Sequence, residues 1–179
     1  MMSLSNLDQI ERLYASRGAL NYGEGVTQLE HALQCAALAQ AQNAPASLVA
    51  AALLHDIGHL FDEESIAAER DDRHEIVGSQ AIGFLFGGAV TKPISLHVAA
   101  KRYLCFKQAS YFKTLSPASK ASLTLQSGPF NTAEAAAFEK QDFWRDAVAL
   151  RQFDDMGKRD DLSGRAFADF APILQSLLT

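Results

Sequence analysis

Apolar residues recur three and four positions apart along most of the chain, and capping and stop signals separate these runs. The pattern predicts helix after helix. Asn6 to Arg17 reads as a short amphipathic opener, and Gly18 to Gly25 as a glycine-punctuated loop containing Tyr22 and Glu24. Thr27-Gln28-Leu29-Glu30 has the form of a capping box, opening a helix to about Gln42 with His31 in its first turn. Pro45 suits a first helical position, and Ala46 to Leu60 is expected as a central helix. Phe61 to Arg73 is charged and reads as an exposed loop with a short helix. His74 opens a helix running to the stop at Gly87-Gly88, and Thr91-Lys92-Pro93 starts another that carries His97 and Lys101. Ser116-Pro117 begins a short piece that ends at Gln126 to Pro129. Thr132 is expected to cap a long helix reaching Met156, with Arg151, Asp154 and Asp155 near its end, before a last apolar helix over Gly164 to Leu178. Period-two alternation and hairpin turns are nearly absent, so the fold class is all-α.

Composition narrows the setting. A chain of 179 residues with 48% hydrophobic and 21% charged residues is expected to form one globular domain, residues 1–179. A net charge of −5 without a basic stripe argues against nucleic acid as a partner. No apolar run approaches the roughly 20 residues of a membrane span. The N-terminal stretch lacks a signal-peptide core, so a cytoplasmic location is expected. Cys35 and Cys105 read as buried free thiols with no assigned chemistry, and the 11 phenylalanines as core. The oligomeric state is left open.

The candidate chemistry lies in five histidines, His31, His55, His59, His74 and His97, each on or at the end of a predicted helix. A helical bundle can gather such residues around an internal metal site. Adjacent His55 and Asp56 combine imidazole with carboxylate, a donor set for iron, manganese or zinc. Taken alone, the pair reads more readily as an ordinary core histidine beside a helix-end aspartate, and it is the rest of the chain that overturns that reading.

The ordered set His31, His55-Asp56, His74, His97 and Asp154 resembles the HD-domain superfamily, in its histidine-richer di-iron form that also includes myo-inositol oxygenase. Longer stretches resemble the HD-domain oxygenases encoded with phosphonate-degradation genes. They are Tyr22 to His31, His55-Asp56-Ile57-Gly58-His59, His97 to Leu104, Leu115 to Ser119 with Ser122 and Gln126, and Leu150 to Asp155. The resemblance implies an HD-domain helical bundle with two iron ions, Fe(II)/Fe(III), and O2 as co-substrate. It gives His31, His55, Asp56 and Asp154 to the first iron; Asp56 bridges, and His74 and His97 complete the second. Asp155 is the alternative to Asp154.

The implied reaction is oxidative cleavage of the carbon–phosphorus bond of a 1-hydroxy-2-aminoethylphosphonate or its N-trimethyl analogue. Its products would be phosphate and glycine or glycine betaine. Lys101, four residues after His97, and Arg151, three before Asp154, would point into the site together with His59, neutralising a phosphonate dianion. Ser122 and Gln126 would add hydrogen bonds. Glu24 would face the amine, and Tyr22 would fill an open iron position until substrate arrives. In this reading His59 and Lys101 serve catalysis electrostatically. The bland alternative pairs Lys101 and Arg151 with surface acids such as Glu139 or Asp155. A metal-dependent phosphohydrolase acting on a phosphate ester is the competing activity, and a degenerate interaction module the third.

Overall fold

Residues 3–21, 25–61, 73–158 and 164–179 are described by the computed structural model of the chain. Ten α-helices and two 3-10 turns order these residues, with isolated bridges but no strand among them. The helices are α1 (Leu7–Arg17), α2 (Gln28–Ala41), α3 (Ala46–Leu54), α4 (His74–Ala81), α5 (Gly88–Lys107), α6 (Tyr111–Thr114), α7 (Pro117–Leu125), α8 (Thr132–Phe138), α9 (Trp144–Met156) and α10 (Ala171–Ser176). The all-α expectation holds. No helix among the described residues is long and apolar enough to cross a membrane.

Helix α3 sits at the centre because it is apolar all round: every residue from Leu48 to Leu54 is buried. It packs against α2 and α5, and α9 closes the bundle by lying along α5, α2 and α3. Leu53, Leu54, Ile57, Ile82, Ile94 and Leu150 fill the space between them. Each such buried side chain contributes about 1.5–3 kcal/mol of transfer free energy. A smaller cluster of Tyr103, Leu104, Ala135, Phe138 and Ala147 joins α5 to α8 and α9. The local signals work where they are local. Thr27 accepts from the Glu30 amide at 3.2 Å while the Glu30 carboxylate accepts from the Thr27 amide at 2.8 Å, a closed capping box.

Five expected elements differ. The central helix stops at Leu54 rather than Leu60, and Ile57–Phe61 tightens into a 3-10 turn. That turn is pressed against α4: a Cβ on Gly58 would meet the His74 carbonyl oxygen at 2.1 Å. Helix α4 ends at Ala81, well before Gly87, and α5 starts at Gly88 with Pro93 inside it. The long helix over 132–156 is two helices with Asn131, not Thr132, as the first cap. Phe143 turns the corner at φ 61°, and Trp144 docks on Tyr103 and Phe138 at centroid distances of 5.7 and 6.1 Å. The tail is a 3-10 turn, Phe167–Phe170, followed by the short α10.

Candidate metal centre

Five elements each deliver one part of the site. His31 lies in the first turn of α2, His55 and Asp56 follow α3, His74 opens α4, His97 is midway along α5, and Asp154 is in the last turn of α9. All are buried. Their rings are aimed by backbone carbonyls. His31 Nδ1 is 2.7 Å from the Gly157 oxygen, His55 Nδ1 2.9 Å from that of Ala52, and His97 Nδ1 2.8 Å from that of Ile94. A carbonyl only accepts, so each Nδ1 carries a proton and each Nε2 is the nitrogen turned inward, where it can serve as a metal ligand.

The inward nitrogens come in two pairs. His31 and His55 have their Nε2 atoms 3.2 Å apart, and so do His74 and His97. Two unprotonated nitrogens at that distance would repel unless a cation lay between them, the arrangement that a metal ion supplies. Imidazoles bound side by side at about 2.1 Å from one ion stand about 3 Å apart. The donor set therefore fits metal ions. Asp56 lies between the pairs: Oδ2 is 3.6 Å from His31 Nε2 and 3.4 Å from His55 Nε2. Its Oδ1 is 3.4 Å from His74 Nε2 and 3.7 Å from His97 Nε2. One carboxylate thus faces both pairs with separate oxygens.

Asp154, rather than Asp155, turns toward the histidines, with Oδ1 3.3 Å from His31 Nε2. Asp155 pairs with Arg151 and Tyr111. His59 stacks on His74 at 3.8 Å between centroids, and a ligand atom of each, with one of Asp56, falls within a 4.8 Å group. Burial pushes Asp56 upward, but His55, His59 and His74 outweigh it and hold the carboxylate well below its usual range. Burial drives His55 and His97 down, keeping both in the neutral form that binds metal.

Beside this cluster lie two buried cations. Lys101 and Arg151 are 2% and 3% exposed, which removes the reading of solvated surface residues. Lys101 Nζ donates to Ser122 Oγ at 2.7 Å, and burial, helped by Arg151, lowers its pKa to about 8. Arg151 Nη1 reaches Asp154 Oδ2 at 2.7 Å, its Nη2 reaches Ser119 Oγ at 3.2 Å, and its Nε reaches Tyr111 Oη at 3.2 Å. Gln126 is buried at the end of α7, and its Oε1 has no hydrogen-bond partner among the described residues. Glu139 binds Lys107 and Tyr103 instead of either buried cation. Tyr22 and Glu24 lie outside the described residues.

Four participants escape the sequence reading. Cys35, one turn after His31, places Sγ 3.7 Å from both ring nitrogens of that histidine and within a 4.8 Å group with His31 and His55. Ser119, Tyr111 and Lys158 surround Arg151 and Asp154, with Lys158 Nζ 3.3 Å from Ser119 Oγ and 3.6 Å from Asp154 Oδ1. The available signals were spacings of three and four: Cys35 from His31, Ser119 from Ser122, Lys158 from Asp154.

A helical bundle that gathers histidines from separate helices around the aspartate of a His-Asp pair defines the HD-domain class. Comparison with known proteins carries this further. Over 150 residues the chain is 49% identical to hydroxymethylphosphonate dioxygenase of Gimesia maris, covering 82% of this chain and 75% of that protein. Over 170 residues it is 39% identical to the glycine-betaine-forming 1-hydroxy-2-(trimethylamino)ethylphosphonate dioxygenase of Leisingera caerulea, covering 93% and 87%. An uncharacterised protein of Acanthamoeba polyphaga mimivirus is 33% identical over 161 residues. No family model matches. The chain belongs to the HD-domain phosphonate dioxygenases.

Proposed function

We propose that this chain uses O2 to cleave the carbon–phosphorus bond of a short 1-hydroxyphosphonate and holds two iron ions to do so. The observation that carries this is Asp56, one oxygen toward His31 and His55 and the other toward His74 and His97. In this reading His31, His55, Asp56 and Asp154 hold the first iron, and Asp56, His74 and His97 the second. When bound, the iron pair supplies the O2 binding and electron transfer that oxidise the carbon next to phosphorus.

The substrates in the two relatives' names share a hydroxyl on the phosphorus-bearing carbon and differ in what else that carbon carries. The overall change converts R–CH(OH)–phosphonate and one O2 to a carboxylate, inorganic phosphate and one proton. An aminoethyl or trimethylaminoethyl compound would yield glycine or glycine betaine. Lys101 meets the phosphonate with its ammonium, steadied by Ser122, and Gln126 supplies a further polar contact. Arg151 adds its charge from the Asp154 side, and His59 lies beside the second metal group. These cations neutralise a charge that persists from substrate to phosphate, a positioning and electrostatic role. Glu24 is assigned to the amine end and Tyr22 to the open position of the second iron.

Paired oxygen-electrode and phosphate measurements on iron-loaded protein test this with 1-hydroxy-2-aminoethylphosphonate, its trimethyl analogue and hydroxymethylphosphonate. One O2 consumed per phosphate released, and none released without O2, is the expected result. Hydrolysis of a phosphate ester under argon, with no O2-linked phosphate release, would instead establish the hydrolase.

A further inference from the structure

A guanidinium carries five N–H donors along two edges that can each grip an anion in two-pronged fashion. In Arg151 the protein itself occupies both edges. On one edge Nε donates to Tyr111 Oη at 3.2 Å while Nη2 pairs with Asp155 Oδ1. On the other, Nη1 holds Asp154 Oδ2 at 2.7 Å while Nη2 also donates to Ser119 Oγ at 3.2 Å. Among the described residues four donors are engaged, leaving one on Nη1.

The surrounding acceptors are equally committed. Tyr111 Oη donates to Asp155 Oδ2 and accepts from Arg151 Nε, so Arg151, Tyr111 and Asp155 form a closed ring of hydrogen bonds. Asp155 spends both oxygens inside it. Asp154 spends Oδ2 on Arg151 and turns only Oδ1 toward His31, at 3.3 Å. The two aspartates, three and four residues after Arg151, thus have opposite duties: Asp154 faces the histidines and Asp155 faces away.

We infer that Asp155 and Tyr111 are positioning residues that lock Arg151 onto Asp154, so that Arg151 serves the metal centre through this carboxylate and gives a phosphonate at most a single N–H. The inference rests on the proposed assignment of Asp154 to the first metal. It makes Asp154 a ligand through one oxygen, and it leaves Lys101 as the principal phosphonate cation. Partners that orient a metal-binding carboxylate typically change metal affinity 10- to 100-fold when removed.

Asp155→Asn and Tyr111→Phe test it, each with circular dichroism as a folding control. The first reading is Mn(II) titration of metal-free protein, followed by the EPR signal of unbound Mn(II), which needs no turnover. The second is kcat and KM for hydroxymethylphosphonate after iron loading. The expected result is Mn(II) binding weakened about 10-fold or more at one of the two sites, with kcat lowered and KM changed less than 3-fold. Unchanged Mn(II) affinity with a KM raised 10-fold or more would overturn it and make Arg151 a direct phosphonate clamp; no change in either would overturn it too. A wild-type chain that binds no Mn(II) removes the metal centre and the lock together, whereas wild-type binding matched by both variants removes the lock alone.

Discussion

Gly58 passes so near His74 that a single added methyl would stand 2.1 Å from the His74 carbonyl oxygen and 2.7 Å from its carbon. The contact is backbone against backbone, with no flexible side chain to yield. Gly78 contributes from the facing side, where a Cβ would meet the Gly58 nitrogen at 3.0 Å. Gly58 therefore sets how closely the 3-10 turn after His55 and Asp56 approaches the helix that presents His74. Gly58→Ala should lower stability by about 1–3 kcal/mol and move His74 from His97, reducing bound metal. Urea denaturation and metal analysis check both effects. Unchanged metal content in that variant would mean that the spacing of these elements does not govern the second metal group.

Lys101 gives the pH dependence its sign. Burial and the nearby Arg151 lower it to about 8, so its ammonium is present below that pH and lost above it. The free protein should bind a phosphonate progressively less well as pH rises through about 8, seen as a fall in kcat/KM. Lys101→Arg keeps its charge at all these pH values and should move the fall upward or abolish it. Lys101→Met should lower kcat/KM at every pH. An alkaline fall that persists unchanged in Lys101→Arg would assign it to another group.

His97→Ala removes one nitrogen of the pair whose Nε2 atoms stand 3.2 Å apart. The helix that carries it is 20 residues long and keeps its apolar face, and alanine suits a helix interior. Turnover should fall below detection while far-UV circular dichroism is preserved. Full O2-dependent activity would reject the assignment of His97 to the second iron.

Much of the site was legible because its signals are short-range. The Thr27 capping box fixes where α2 begins, and so which turn carries His31; the His55-Asp56 pair is adjacent in the chain, and the four-residue step from His97 to Lys101 needs only helical periodicity. The breaks were not legible, since their causes lie far along the chain. The central helix stops where Gly58 meets His74, and the helix over 132–156 bends where Trp144 finds Tyr103 and Phe138. Arg151 shows the same limit. Its spacing from Asp154 and Asp155 announced an ion pair, but its engagement on both edges depends on Tyr111 and Ser119, which other helices bring to it.

Glu24, proposed for the amine end of the substrate, would bear on which phosphonate is preferred. A free ammonium can hydrogen-bond to a carboxylate, whereas a trimethylated one offers only charge. Glu24→Gln should therefore raise KM for 1-hydroxy-2-aminoethylphosphonate more than for its trimethyl analogue. Equal effects on the two would remove Glu24 from recognition of the amine.

The proposed sharing of Asp56 between two metal ions is tested most directly by anaerobic purification, iron quantitation and low-temperature EPR with and without a 1-hydroxyphosphonate. Two irons per chain, with a mixed-valent signal that shifts or sharpens on adding the phosphonate, is the predicted result. One iron per chain with the signal of an isolated ion, or a paired signal indifferent to the phosphonate, would contradict it.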